Sequence, residues 1–207
     1  MELVVISHTI KKIIELRKIG INILIFDYSG YGESSGIPSE TQFYHDADSM
    51  VDLLVNSYNY KTTDIIAYGE SLGGPVACYI AQKHNLPILI LDSPLPSVNS
   101  LAKRILRPFY IGNILSSILT YPFYEFNTEI NLENYKGKSL LIHSIEDEVI
   151  PYDIIDKLVK LSTKHIKTIG KHDMPLIPYD EIKTFISSCL MNYDDTTLAP
   201  IDEAPTS

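Results

Sequence analysis

The chain has no tryptophan and only two cysteines among its 207 residues, which removes several functional classes from consideration. Cys78 and Cys189 lie in separate amphipathic segments, so neither a disulfide framework nor a CxxC metal site is supported. No apolar run approaches the roughly 18 residues that span a bilayer, and the N-terminus lacks the basic, apolar and small order of a signal peptide. We expect a cytoplasmic protein with no transmembrane segment, metal or cofactor.

Basic residues are also scarce. The chain has 17 lysines and arginines and 26 aspartates and glutamates, which gives a formal charge of −9. A nucleic-acid partner would need a clustered basic face, so we expect no nucleic acid. Part of the acidity lies beyond Met191, where no lysine or arginine accompanies Asp194, Asp195, Asp202 and Glu203. Residues 192–207 are therefore predicted to form an acidic, mobile tail.

Hydrophobic residues make up 45% of the chain and occur in strand-like runs that alternate with helix-like segments. This alternation predicts an α/β fold, a mostly parallel sheet flanked by helices, in one domain over residues 1–191. The predicted strands are Ile21–Phe26, Asp64–Tyr68, Ile88–Leu91, Ser139–His143 and His165–Ile169.

Helical spacing fills the intervals between these strands. The predicted first helix ends before Gly20 and has a face formed by Ile10, Ile13, Ile14 and Arg17. A second helix begins with a capping box at Ser39–Gln42, and its apolar face is Phe43, Ala47, Met50 and Leu54. Two further amphipathic helices are expected over Tyr152–Leu161 and Asp180–Met191.

The segment from about Pro94 to Tyr135 is too long for an ordinary connection in an α/β domain. We interpret residues 94–135 as a small helical cap insertion. Two compatible accounts stay open, a pair of helices packed on the core and a cap whose apolar underside lines an acyl pocket. The apolar side chains concerned are Phe109, Tyr110, Ile111, Tyr121, Phe123, Tyr124 and Phe126.

The pentapeptide Gly69–Gly73 has the form G-x-S-x-G, with a strand-like run before it and a helix-like run after it. In a nucleophile elbow, the serine lies on a strained turn between strand and helix, and flanking glycines permit close backbone approach. Pro75 falls in the first turn of the following helix, where a missing N–H costs little. Ser71 is therefore the candidate nucleophile.

A serine hydroxyl needs a base to accept its proton and an acid to orient that base. Asp147 follows the Ser139–His143 strand, and His172 is the histidine on the loop after the last strand. Loops at the carboxyl ends of parallel strands converge, so these residues can meet Ser71. Other candidates for the acid stay open, and they are Asp92, Glu146 and Glu148. The other histidines are expected to pack or lie at the surface: His8, His45, His84, His143 and His165.

A glycine-containing loop, Asp27–Gly36, follows the first predicted strand and could be taken for a phosphate-binding loop. It lacks the third spaced glycine and the immediate helix of a dinucleotide site. We interpret it as a tight turn that shapes one wall of the active-site mouth.

Taken together, the motifs resemble the α/β-hydrolase superfamily over about residues 3–190, and most closely its branch containing protein depalmitoylases. The motifs are Phe26–Glu40, Tyr68–Gly73, Asp92–Leu95, Glu146–Ile150 and Gly170–Asp173. The resemblance implies a serine hydrolase of small-molecule or lipid-acyl esters or thioesters, with Ser71, Asp147 and His172 as the catalytic triad. It also implies that the backbone N–H of Leu72 donates to the oxyanion.

One departure from this family concerns a His-Gly-Asn motif, which relatives carry at the end of a strand that precedes the first helix found here. The motif normally supplies a second oxyanion donor, worth roughly 2.7–4 kcal/mol. In relatives, the strand that carries this motif lies between the strands represented here by Ile21–Phe26 and Asp64–Tyr68. Loss of that strand leaves a gap in the sheet unless Leu3–Ile6 fills it. We therefore expect either that the start codon has been assigned too late or that the gene has lost the part that encodes the N-terminal segment.

Two smaller departures are Ser144 and Lys171, which stand where relatives often have glycine, and neither removes a catalytic group. Two alternatives to the esterase or thioesterase also stay open. One is a serine peptidase of the same superfamily, and the other is a truncated, catalytically impaired hydrolase-like protein.

Overall fold

The fold is built on one parallel six-stranded sheet, whose strand order is β2-β1-β3-β4-β5-β6. A computed structural model describes residues 2–6, 10–106 and 125–194, with side chains described for 12–105 and 125–191. The strands are β1 Glu2–Ile6, β2 Asn22–Ile25, β3 Ile65–Glu70, β4 Ile88–Asp92, β5 Lys138–Ser144 and β6 Lys164–Thr168. The five predicted strands are confirmed to within two residues at each end.

Helices connect the strands and cover both faces of the sheet. In chain order, the described helices are α1 Ile10–Arg17, α2 Glu40–Asn56, α3 Gly73–Lys83, α4 Val98–Leu106, α5 Thr128–Asn134, α6 Asp156–Leu161 and α7 Tyr179–Asp194. Short 3₁₀ turns lie at Thr62–Asp64 and Tyr152–Ile154. Parallel strands joined by helical crossovers confirm the predicted α/β class.

Alternate residues of the central strands enter two separate cores. On β3, Ala67 packs into the core beneath α2 and α3, whereas Tyr68 packs into the core beneath α1 and α7. On β4, Leu91 packs into the core beneath α2 and α3, and Ile90 packs into the core beneath α1 and α7. Because successive strand side chains point to opposite faces, a sheet covered on both sides needs the continuous apolar runs seen in this sequence.

The N-terminal strand β1 corrects the expected gap in the sheet. It lies between β2 and β3 and pairs with both, with Val4 beside Leu24 and Ala67. The alternative in which Leu3–Ile6 forms the missing strand is therefore the one observed. A β-branched segment at this position satisfies the backbone groups of two neighbours that would otherwise be unpaired.

The buried face of α1 differs from the prediction. Ile14 is 53% exposed and Arg17 is also exposed, whereas Leu16 and Lys12 are buried. Lys12 turns inward because two carboxylates below the helix bind its ammonium group. The apolar spacing therefore predicts the helix correctly, but of its expected face Ile13 is only half-buried, and the side chain of Ile10 lies outside the described residues.

Two other helices agree with the sequence in part. Ser39 caps α2 by accepting a hydrogen bond from the Gln42 N–H, which is the serine half of the predicted capping box. On this helix Val51 is buried, whereas Met50 is only half-buried. The predicted helix Tyr152–Leu161 is divided into a 3₁₀ turn and the short helix α6.

Helix α7 runs to Asp194, past the expected domain boundary at Met191. Of the predicted cap, α4 and α5 are described, and α5 packs on α3 with Thr128 and Leu132 buried. The other cap residues named above, except Phe126, lie outside the described residues, as do His8 and the tail from Asp195. Within the described ranges, no helix combines the length and apolarity needed to cross a membrane.

Candidate active site

The turn between β3 and α3 carries Ser71 in a strained conformation. Its φ is +51°, in the left-handed region that side-chain-bearing residues rarely adopt. A Cβ on Gly69 would lie 2.6 Å from the Ala77 Cβ, and one on Gly74 would lie 2.5 Å from the Pro94 Cβ. The two glycines therefore let strand, helix and neighbouring loop approach closely, as expected for an elbow.

Backbone hydrogen bonds fix Ser71 to the neighbouring strand. Its N–H donates to the carbonyl of Asp92 at 3.0 Å. Its own carbonyl accepts from Gly74 and Leu95, each at 3.0 Å. With both backbone groups bonded, the direction of the side chain is set by the β3–β4 edge.

The structure brings the three predicted side chains together. The Ser71 Oγ lies 2.8 Å from the His172 Nε2, and the His172 Nδ1 lies 2.7 Å from the Asp147 Oδ2. The other Asp147 oxygen accepts the N–H groups of Val149 at 3.0 Å and Ile150 at 2.7 Å. One chain of hydrogen bonds therefore runs from a hydroxyl through an imidazole to a fixed carboxylate.

Both titratable partners have shifted pKa values. The hydrogen bond to Asp147 raises the pKa of His172, and the nearby negative charges outweigh the opposing effect of burial. Burial alone would raise the pKa of Asp147, but the hydrogen bonds from His172 and the Ile150 N–H lower it. Asp147 is therefore a carboxylate at neutral pH, and the imidazolium form of His172 is stabilised beside it.

The loop that carries His172 is held by side chains of the loop after β5. Glu146 accepts the Gly170 N–H at 2.8 Å, and Glu148 accepts the His172 N–H at 3.2 Å. The Ser144 Oγ donates to the Gly170 carbonyl and accepts the Glu146 N–H. The serine at 144, which departs from the family pattern, thus joins the loop of Asp147 to the loop of His172.

The rival residues have other contacts. The Asp92 Oδ2 is bound by Lys12 and Tyr68, both at 2.7 Å, while Glu146 and Glu148 bind the backbone of the loop that carries His172. His143 is fully buried, and its Nε2 lies 2.9 Å from the Ile150 carbonyl. His143 therefore packs behind the Asp147 loop, in agreement with the expectation for a strand histidine.

The remaining histidines with described side chains lie away from the serine. His84 ends α3 and bonds Asp48 at 2.9 Å, His165 on β6 contacts the Tyr152 hydroxyl, and His45 is exposed on α2. Their partners are structural groups of neighbouring helices and strands. His172 is the histidine whose ring bonds Ser71.

Leu72 is the N-cap residue of α3. Its N–H belongs to the first amides of the helix, which have no intrahelical acceptor. These amides lie at the positive end of the helix dipole, beside the Ser71 hydroxyl. The position suits a donor to a negatively charged oxygen.

The Asp27–Gly36 loop has the contacts of a structural turn. The Ser29 N–H and hydroxyl both donate to Asp46 on α2. Tyr28 stacks on Phe43 with ring centroids 4.3 Å apart. Gly30, Gly32 and Gly36 have positive φ, which explains the glycines without a bound phosphate.

One cluster near Ser71 was missed in the sequence. Lys12 on α1 forms ion pairs with Glu70 at 2.8 Å and Asp92 at 2.7 Å, and Asp92 also accepts from Tyr68. A signal existed, because Lys12 and the buried Leu16 are four residues apart and so share one helix face. Among the described residues, no group of three or more His, Cys, Asp or Glu side chains is arranged to hold a metal ion.

Comparison with known proteins places this geometry in a family. Residues 8–121, more than half of the chain, match the family described as "Serine aminopeptidase, S33". The chain belongs to this family of the α/β-hydrolase superfamily. Among solved structures, an α/β-hydrolase from Vibrio vulnificus gives a TM-score of 0.67 at 22% identity, covering 92% of this chain and 73% of that chain. This likeness confirms the α/β-hydrolase fold.

The relatives of this α/β-hydrolase agree with the branch indicated by its motifs. Alpha/beta hydrolase domain-containing protein 17C of Homo sapiens is 35% identical over 182 residues, covering 84% of this chain and 52% of that protein. The corresponding protein 17B of Xenopus laevis is 30% identical, covering 84% of this chain and 59% of that protein. The α/β-hydrolase thus spans less than two thirds of the length of these curated relatives.

Proposed function

We propose that this α/β-hydrolase cleaves carboxylic esters or thioesters through an acyl-enzyme intermediate, with Ser71 as nucleophile, His172 as base and Asp147 as acid. The observation that carries the proposal is the pair of short contacts on His172, 2.8 Å to Ser71 and 2.7 Å to Asp147. An imidazole bonded on both sides in this way can accept the serine proton at one nitrogen while the carboxylate holds the other.

In the first half of the reaction, the Ser71 Oγ attacks the acyl carbon and its proton passes to the His172 Nε2. The C–O or C–S bond then breaks, and His172 returns the proton to the leaving alcohol or thiol. In the second half, water attacks the acyl-serine and gives its proton to His172. The acid is released, and Ser71 regains its hydrogen.

Asp147 keeps its charge during both halves. Its Oδ2 accepts from the His172 Nδ1, which leaves the Nε2 free to accept a proton. The two backbone N–H groups on Oδ1 fix the carboxylate, and the hydrogen bonds from His172 and the Ile150 N–H hold its pKa low. The developing imidazolium is therefore stabilised by a fixed negative charge.

The Leu72 N–H is proposed as one donor to the tetrahedral oxyanion. Leu72 directly follows Ser71 and begins helix α3, so its N–H and the helix dipole favour negative charge at that point.

An acyl substrate is supported by the side chains around the three residues. Leu72 is 39% exposed beside Ser71, Val149 is 49% exposed after Asp147, and Met174 is 73% exposed after His172. Apolar side chains that remain in water at the edge of a reactive site favour an apolar ligand. We therefore propose a small-molecule or lipid-acyl ester or thioester as substrate.

The test is labelling with a fluorophosphonate probe, which reacts with an activated serine. We expect the wild-type chain to be labelled and Ser71→Ala not to be labelled. Ser49→Ala, on the exposed side of α2, serves as a matched control and should be labelled at the wild-type rate. Equal labelling of Ser71→Ala and wild type would refute the assignment.

A peptidase activity is the second candidate, because the matched family is described as a serine aminopeptidase. The two candidates separate on a panel of p-nitrophenyl esters, acyl thioesters of N-acetylcysteamine and L-aminoacyl p-nitroanilides. The proposal expects turnover of the esters and thioesters and little turnover of the anilides. Preferential anilide cleavage would favour the peptidase, and labelling without any turnover would favour the impaired hydrolase.

A further inference from the structure

Four side chains form a buried polar group under the Ser71 turn, and we name it the elbow cluster: Lys12, Tyr68, Glu70 and Asp92. The Lys12 Nζ lies 2.8 Å from Glu70 and 2.7 Å from Asp92. The Tyr68 hydroxyl donates to the same Asp92 oxygen at 2.7 Å. The side chains of Lys12 and Asp92 are 7% and 0% exposed, and that of Glu70 is 18% exposed.

The cluster is attached to the backbone that holds the nucleophile. Glu70 ends β3 and immediately precedes Ser71. Asp92 ends β4, and its carbonyl accepts the Ser71 N–H at 3.0 Å. Lys12 comes from a third element, α1, and binds both carboxylates. One ammonium group therefore connects the two strand ends between which Ser71 is fixed.

Burial of these charges requires that they remain paired. Burial opposes the charge on Lys12, but Asp92 and Glu70 outweigh it and raise the pKa of the ammonium group. Among the described residues, the second oxygen of Asp92 has no hydrogen-bond partner. The buried Asp92 carboxylate thus depends on Lys12 and Tyr68 through a single oxygen, and the removal of Lys12 would leave it poorly compensated.

We propose that Lys12 is a positioning residue for the Ser71–His172 pair, which it affects by joining the two strand ends that hold Ser71 and by balancing the charges of Glu70 and Asp92. The inference rests on the proposed serine hydrolase function. The Lys12 ammonium group forms its ion pairs with Glu70 and Asp92, so it acts through the two carboxylates.

The expected sign follows from the titratable and charged groups that face His172. They are Asp147 and Glu148 on the loop after β5, His143 on β5, Glu70 on β3 and Asp92 on β4. Lys12 is faced by Glu70, Asp92, Tyr68 and, from α7, Tyr179. Loss of Lys12 leaves more negative charge near His172, which favours the imidazolium. Loss of Glu70 has the opposite effect.

The experiment measures the pH dependence of fluorophosphonate labelling and the NMR titration of the His172 ring, with His172→Asn used to assign the ring signal. In Lys12→Met, both midpoints are expected to move to higher pH, and labelling at pH 6 is expected to fall by about tenfold. Lys12→Arg should retain the wild-type midpoints because it keeps the charge. Lys18→Met is the matched control, since Lys18 forms an exposed ion pair with Glu15 on the same region of the chain.

Glu70→Gln supplies an independent test, because Glu70 is partly exposed and its replacement leaves Lys12 in place. Both midpoints should move to lower pH in this variant. If Lys12→Met folds and its midpoints equal those of the wild type, the inference is wrong. If Lys12→Met does not fold, unchanged midpoints in Glu70→Gln overturn the inference, and lower midpoints support it.

The two readouts separate this inference from the proposed function. A wild-type chain that is not labelled contradicts the proposed function, yet the NMR titration still shows whether Lys12 and Glu70 control His172. A labelled wild type whose His172 titration is the same in both variants retains the proposed function and removes the positioning role of Lys12.

Discussion

The proposed nucleophile, Ser71, and the proposed base, His172, are held in place by two different kinds of interaction. Ser71 lies on a turn fixed by close backbone packing, where Gly69 faces Ala77 and Gly74 faces Pro94. His172 lies on a loop fixed by polar contacts from Ser144, Glu146 and Glu148. On the serine side of the site, the position of Ser71 therefore depends on the small volume of the neighbouring glycines. On the base side, the position of His172 depends on hydrogen bonds and charge.

This difference follows from the fold. Gly69 and Gly74 are buried where β3 meets α3 in the centre of the sheet, so a methyl group added at either position would overlap neighbouring atoms. The loops after β5 and β6 extend past the sheet edge, where Ile145 and Ile169 are more than half exposed. Apart from replacement of Ser71 itself, substitutions should accordingly affect stability most at the turn and reactivity most at the loops.

The largest expected effect is on the reactivity of the base side. Asp147→Asn should keep the fold but lower the labelling rate by roughly 10,000-fold, because an amide does not hold the His172 tautomer or stabilise its imidazolium. Stopped-flow or gel-based labelling measures the rate, and circular dichroism checks the fold. Labelling within tenfold of wild type would exclude Asp147 as the acid.

The next largest effect is a loss of stability when a side chain is added at a glycine beside Ser71. Gly69→Ala should lower the free energy of unfolding by about 2 to 3 kcal/mol, since its Cβ meets the Ala77 Cβ at 2.6 Å. Gly20→Ala is the comparison, because a Cβ there meets nothing within 4 Å and only the positive φ of +94° opposes it. Its expected cost is about 1 kcal/mol. Urea unfolding measures both, and equal costs would contradict the close-packing account.

A smaller effect is expected where the two loops meet. Ser144→Ala removes one donor and one acceptor, so unfolding free energy should fall by about 1 to 2 kcal/mol and labelling should slow several-fold. Thr184→Ala, which removes an exposed helix hydroxyl on α7, is the control and should change stability by less than about 0.5 kcal/mol. If Ser144→Ala labels at the wild-type rate, this contact does not position the base loop.

The smallest effect is a shift of pH dependence on the base side. Because Asp147 raises the pKa of His172, its imidazole becomes protonated at a higher pH than an ordinary histidine. Only the neutral ring accepts the Ser71 proton, so labelling should fall as pH decreases through a midpoint above the ordinary histidine pKa of 6.5. A labelling profile from pH 5 to 9 measures this midpoint, and a value below 6.5 would contradict the observed pairing.

Much of the site could be predicted from the sequence because each of its three candidate residues follows a strand. Ser71, Asp147 and His172 come after β3, β5 and β6, and carboxyl ends of parallel strands lie at one sheet edge. The motif glycines Gly69 and Gly73 were likewise recognisable from their spacing, whereas the close approach of Gly74 to Pro94 appears only in the structure. Which acid joins His172 was not decided there, because Asp92 and Asp147 both follow strands and only their partners distinguish them.

Other features required the packed structure. The face of α1 was assigned from its isoleucines, yet Lys12 is buried because Glu70 and Asp92 bind it from strands distant in sequence. Likewise, β1 fills the position beside β3. The local sequence pattern had offered this arrangement only as one of two alternatives. Both outcomes depend on long-range partners.

The sequence by itself determined the alternation of strands and helices, the glycine-bounded serine turn and the order in which Ser71, Asp147 and His172 follow their strands. Each of these is encoded in local spacing and backbone preference. The tertiary structure decided which carboxylate pairs with His172, which face of α1 is buried and which strand lies beside β3. The physical reason is that a buried charge or an unpaired strand is stabilised only by its partner, and here those partners are distant along the chain.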